Sequence, residues 1–172
     1  MRITRNRLLA SVVLLLPLMV VAITKADQEE TKFQWVIASA DSAQANNNSK
    51  ITLTGTGTFQ PNDPEEVTGG GTWQTFAPGA TTPTGSGTFQ VTALVKFDLA
   101  PGSVADPSIH AGLAFLRIKY SDGSRGILVL SCQLPGTPPS VFEGATASKG
   151  FTDYWNRIPS PTFFRVVTET ED

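Results

Sequence analysis

The densest run of chemically useful side chains is Lys149-Gly-Phe-Thr-Asp153-Tyr154-Trp155-Asn156-Arg157. On an extended strand Phe151, Asp153, Trp155 and Arg157 project to one side, and Tyr154 and Asn156 to the other. An aromatic face bordered by amide, carboxylate and guanidinium groups suits stacking and hydrogen bonding to a sugar or a small polar ligand. The same composition arises where a tryptophan ties down a strand end and Asp153 pairs with Arg157 at the rim; aromatic strand ends are ordinary in β-barrels. Trp73 and Phe89, from a glycine-rich repeat, complete the residues expected to meet a ligand: Trp73, Phe89, Tyr154, Trp155, Asn156 and Arg157.

Catalytic candidates are fewer. Glu143, in Val141-Phe-Glu-Gly-Ala145, becomes a general acid or base if the strand register turns it inward, because burial raises a carboxyl pKa. The opposite register leaves it in solvent, where most glutamates are found. Tyr120 and Asp153 are the other polar groups that a cyclase- or isomerase-type pocket would use. His110 is the one histidine of the chain, and no serine sits in a nucleophile-elbow context to build a triad with it. Asp63, Glu65 and Glu66 lack the ligand spacing of a calcium loop. With one Cys and one His, neither an intrachain disulfide nor a Cys/His zinc cage is expected, and no metal or cofactor is assigned. Cys132 reads as a small buried hydrophobe.

The elements that must position these groups are strands. Beyond residue 26 the prolines cluster at 61–64, 78–83, 101–107, 135–139 and 159–161, and proline removes a ladder donor, so the clusters mark connectors. Between them, Ile51–Phe59 alternates Ile51, Leu53, Gly55, Gly57 and Phe59 with four threonines. Thr88–Asp98 alternates Phe89, Val91, Ala93, Val95 and Phe97 with polar residues, Leu94 excepted. Period-two patterns of this length indicate half-buried antiparallel strands. Asp122-Gly123 separates two apolar runs and predicts a hairpin with Tyr120 opposite Arg125, Ile118 opposite Ile127, Leu116 opposite Val129, Phe115 opposite Leu130 and Leu113 opposite Cys132. Both faces of that hairpin are apolar away from the turn, which calls for cover on both sides, by a second layer or by another subunit.

Gly-x-Gly-Thr-aromatic-Gln occurs three times, from Gly55, Gly69 and Gly85. Glycines let a strand bend where a sheet coils, and an aromatic fills the space they leave. A phosphate loop would need a helix start and usually a lysine, and neither follows. Asp41–Ser49 forms one helical turn or stays disordered. Strands are expected at 33–38, 51–60, 67–76, 86–98, 111–120, 125–134, 141–155 and 162–169. The fold class is therefore all-β: an antiparallel β-barrel or closed sandwich of about eight strands with little or no helix.

The chain begins with Arg2, Arg5 and Arg7 before an apolar stretch from Leu8 to Ile23. This is the pattern of a secretory signal, with cleavage expected after Ala26; an uncleaved anchor is the alternative. The organisation is then a signal peptide at 1–26, an N-terminal strand and polar loop at 27–50, and a barrel-like domain at 51–172 to which 33–38 adds one strand. Losing Arg2, Arg5, Arg7 and Lys25 leaves nine basic against fifteen acidic residues, a net charge of −6. An acidic exported domain is ill suited to nucleic acid or to anionic lipid surfaces. The expected location is secreted or periplasmic, with no stable membrane insertion after cleavage. Asn47-Asn48-Ser49 is a formal glycosylation sequon.

Val141-Phe-Glu-Gly-Ala145, followed by a last β segment at Thr162–Val167, resembles the late strands of allene oxide cyclases. The resemblance covers the last third of the chain. It implies an eight-stranded antiparallel barrel, as in those proteins and the related dirigent proteins, with a cavity for a small lipophilic ligand and a homo-oligomeric state. The glycine repeat does not align with that family's catalytic strands, so no catalytic residue is carried over. Gly71-Thr72-Trp73 is similar to the Gly-x-Trp start of lipocalin- and avidin-type barrels, but falls on a later strand. The expected function is a non-catalytic binding module for a small lipophilic or carbohydrate-like ligand. The alternatives are a cyclase- or isomerase-type barrel enzyme and a structural protein acting through an oligomeric β surface.

Overall fold

The computed structural model describes residues 31–167. The basic–apolar leader and its expected cleavage after Ala26 lie outside the described residues. The chain forms β1 (Lys32–Gln44), β2 (Lys50–Gln60), β3 (Asp63–Val67), β4 (Gly70–Phe76), β5 (Pro83–Leu99), β6 (Ile109–His110), β7 (Gly112–Tyr120), β8 (Arg125–Cys132), β9 (Gly144–Lys149), β10 (Thr152–Tyr154), β11 (Asn156–Ile158) and β12 (Thr162–Val167). They make one sheet of order β10-β9-β8-β7-β5-β4-β2-β1-β12-β6, with β11 added to β1 and β3 to β2. Every pairing is antiparallel. No helix occurs among the described residues.

The all-β class agrees with the sequence pattern; the count of eight strands does not. Residues 141–155, expected as one strand, divide into a loop, β9 and β10. Gly144 (φ 121°) and Gly150 (φ 59°) adopt backbone conformations that side chains resist. Gly150 opens the two-residue connection between the paired residues Lys149 and Thr152, where a type II′ turn favours glycine. Asp41–Ser49 is not helical: the strand continues to Gln44, and Asn48 (φ 62°) turns the chain toward β2.

The β7–β8 hairpin also departs from expectation. Its register pairs Leu116 with Leu128, Phe115 with Val129 and Gly112 with Cys132, one residue away from the register of a two-residue loop. Tyr120 N–H donates to the Ser124 carbonyl and Gly123 N–H to the Tyr120 carbonyl, so Ser121, Asp122 and Gly123 all belong to the loop. Gly123 takes φ 86°, as in a turn ending on a bulge. The shift puts Leu116 and Leu128 together on the core side.

β5 explains why Leu94 broke its alternation. Against β7, the pairing skips Thr92 and then Val95, so each is an extra residue. The first bulge turns Leu94 inward and the second returns Phe97 to the core side, leaving Val95 exposed. The glycine repeat is likewise mechanical. Trp35 lies opposite Gly57, Trp73 opposite Gly87 and Phe89 opposite Gly71, so each aromatic covers a glycine on the neighbouring strand rather than one on its own.

One core runs along the inner face of the rolled sheet, through Trp35, Ile51, Leu53, Phe59, Leu116, Ile118, Leu128, Leu130 and Phe164. No continuous ladder closes the sheet. At the seam Thr152–Tyr154 pair with β9, while Asn156–Ile158 pair with β1, and Trp155 stands between the two pairings. Between the pairs Ile37–Gly55 and Asp41–Leu53, three residues of β1 stand against one of β2, and the resulting kink hands β1 from β12 to β11.

Candidate functional site

The second apolar face of the β7–β8 hairpin is the floor of a groove on the outside of the sheet. Leu113 and Phe115 come from β7, Ile127 and Val129 from β8, and Thr146 from β9. The register places Phe115, Val129 and Thr146 in one row across the three strands. Phe142, from the loop before β9, and Trp155 and Arg157, from the seam, complete the lining. The volume is about 480 Å³, within the range of small-molecule sites. Trp155 is 47 % exposed. The Arg157 guanidinium sits 4.9 Å from the centre of the Phe142 ring, a cation–π contact that leaves its N–H groups free to donate. Apart from that guanidinium and the Thr146 hydroxyl, the lining side chains are hydrocarbon and aromatic.

Two carboxylates clasp the seam beside the groove. Asp41 is 0 % exposed; it accepts the Ser42 N–H at 2.6 Å and the Ala145 N–H from β9. Glu143 accepts the Gln133 N–H at 2.6 Å and the Thr162 N–H at 2.7 Å. The Thr162 hydroxyl donates in turn to the Ser131 carbonyl at 2.6 Å. Burial pushes the Asp41 carboxyl up to about 6 against its two backbone hydrogen bonds, and the Glu143 charge adds to the rise. Burial also raises Glu143, and it raises the Cys132 thiol to about 11 with Glu143 contributing. Cys132 is a buried free thiol.

The ligand candidates named from sequence divide between core and groove. Trp73, Phe89 and Tyr154 are buried in the core; Trp73 Nε1 donates to the Thr88 carbonyl at 3.1 Å. Trp155 and Arg157 line the groove, while Asn156 is exposed beside it, paired with Gln44. The three catalytic candidates do not converge on one pocket. Tyr120 is buried at the turn end of the hairpin, donates to the Ser148 carbonyl at 2.8 Å and has its hydroxyl pKa raised by burial. Glu143 is at the opposite end of that hairpin, both oxygens held by backbone N–H groups. Asp153 is exposed on β10, and the ion pair expected between it and Arg157 is not formed.

Lys149 instead closes the Tyr120 end, with Nζ 4.2 Å from the Trp73 ring centre and 4.9 Å from that of Tyr120. It is ion-paired with Asp122, which together with Ser124 holds that carboxyl down at about 2. A second, more polar depression of about 400 Å³ lies at this end, bordered by Gln90, Lys119 and Ser121. Among the described residues no group of three or more His, Cys, Asp or Glu is placed to hold a metal ion.

Sequence reasoning did not name Leu113, Phe115, Ile127, Val129, Phe142 or Thr146 as ligand-facing. Their signal was the two-sided apolar hairpin. Asp41 had no signal, because an isolated aspartate in a polar stretch does not announce burial. Comparison with protein-family profiles, with curated proteins and with solved structures finds no match for this chain.

Proposed function

We propose that this protein is an exported, non-catalytic binding module that takes a small lipophilic ligand in the groove on the outer face of β7, β8 and β9. One observation carries the reading: a contiguous apolar floor on the solvent side of a sheet whose inner face packs the hydrophobic core. Soluble domains rarely leave such a patch open without a use for it. The lining favours a lipophile over a sugar, since Thr146 and Arg157 are its only strongly polar side chains. In this reading the rolled sheet works as a barrel whose seam is closed by the Asp41 and Glu143 clasps and by the passage of the chain through Trp155. Export follows from the basic n-region and apolar stretch, with cleavage after Ala26.

The test uses full-length protein recovered from an exporting host without refolding. Native mass spectrometry reads the mature N-terminus and any retained molecule, and titration with an apolar fluorescent dye reads the groove. Saturable uptake is expected, weakened at least about tenfold by Ile127→Glu, which places a charge on the apolar floor. Thr54→Glu, on the outer face of β2, is expected to leave uptake unchanged. Absence of saturable uptake, or equal uptake by Ile127→Glu and the parent, overturns the reading.

A further inference from the structure

The tip of the β9–β10 hairpin presents Phe151, fully exposed. A phenylalanine at a tight turn held out in water is the converse of the groove: an exposed apolar knob on a molecule that also carries an open apolar groove. Charge follows the same division. Asp153, exposed two residues beyond the tip, has no ion-pair partner among the described residues. Arg157, on the groove lining, has none either. Within one copy Asp153 sits on β10 against β9 and Arg157 on β11 against β1, on opposite sides of the seam.

We infer that the ligand-free groove is covered by a second copy of this chain, with Phe151 of each copy seated in the groove of the other and Asp153 of each paired with Arg157 of the other. Knob and groove lie close together, because the chain runs from Phe151 to Arg157 in six residue steps, at most about 20 Å when extended. A two-fold axis through this patch brings each tip to the opposite groove. The contact therefore closes as a pair instead of running on as a filament. Burial of the phenylalanine supplies most of the affinity and the rim charges set the register. Ligand and tip claim the same apolar volume, so ligand dissociates the pair; that consequence alone rests on the ligand reading above.

Sedimentation velocity on the full-length exported protein across micromolar concentrations tests the pairing. The parent is expected to form a reversible dimer, and Phe151→Ser to shift its midpoint by at least about tenfold. Phe151 is fully exposed, so its replacement leaves the fold intact. Asp153→Arg and Arg157→Asp are each expected to weaken the dimer, and the double swap to restore it. A parent that stays monomeric, a Phe151→Ser protein that dimerises like the parent, or a double swap without rescue overturns the inference. Dye uptake by the Phe151→Ser protein is read separately: its groove is intact, so failed uptake there counts against ligand binding and leaves the pairing standing.

Discussion

Glu143 shows how much a single carboxylate does in this molecule without any catalysis. Its two oxygens accept one backbone N–H from the end of β8 and another from the start of β12, tying together segments that no ladder joins. Glutamine preserves the shape but offers one acceptor oxygen and sets an NH₂ against the other donor. Glu143→Gln is therefore expected to lower stability by about 1–3 kcal/mol, read as a fall in the urea midpoint at unchanged slope. A midpoint equal to the parent's would mean that solvent satisfies these N–H groups. Glu143 was legible in the sequence as a carboxylate beside a glycine in an apolar stretch. Its role was not legible, because both its partners are backbone groups, which leave no mark on residue type.

At the scale of elements, the glycine repeat carries the sharpest prediction. A Cβ on Gly71 would collide with the Thr54 carbonyl oxygen and the Gly55 backbone, whereas one on Gly79 would meet nothing within 4 Å. Gly71→Ala must push β2 and β4 apart where Phe89 packs across from it, at a cost of about 3 kcal/mol or more. Gly79→Ala pays only for its positive φ of 70°, about 1 kcal/mol. Thermal unfolding should thus separate the two by several degrees, and equal midpoints would refute the close-approach account. The repeat was readable as a bending device, since glycine paired with aromatics at strand spacing has few other uses. Which aromatic covers which glycine was hidden, because it depends on pairing between strands. The bulges at Thr92 and Val95 were visible only as the misplaced Leu94, and the hairpin register was lost to a loop one residue longer than Asp122-Gly123 suggested.

For the molecule as a whole the seam is where pH acts, and its energetics depend on pH with an unusual sign. Asp41 has its carboxyl raised from an ordinary 3.8 to about 6 when folded. Between those values the folded state holds a proton that the unfolded state has released. The contribution of Asp41 is thus complete below about pH 4 and is lost as pH rises through about 6. Glu143, also raised, acts in the same direction, while the neighbouring Cys132 thiol, near 11, stays neutral throughout. Asp122 and Asp106, both lowered, act in the opposite sense: their contribution is present above about pH 4 and falls away in stronger acid. Stability should therefore peak near pH 4 to 5 and decline toward neutrality, as measured by urea midpoints from pH 3 to 8. Asp41→Asn removes the titration and one acceptor, so the variant should be less stable at pH 4 and show a flatter decline between pH 4 and 7. A parent midpoint that climbs steadily from pH 4 to 7 would mean that Asp41 is ionised without penalty, and the seam would then owe its hold to the Glu143 clasp and the chain passage at Trp155. No sequence pattern pointed to this dependence, because it arises where two carboxylates accept backbone N–H groups from segments far apart in the chain that no ladder joins.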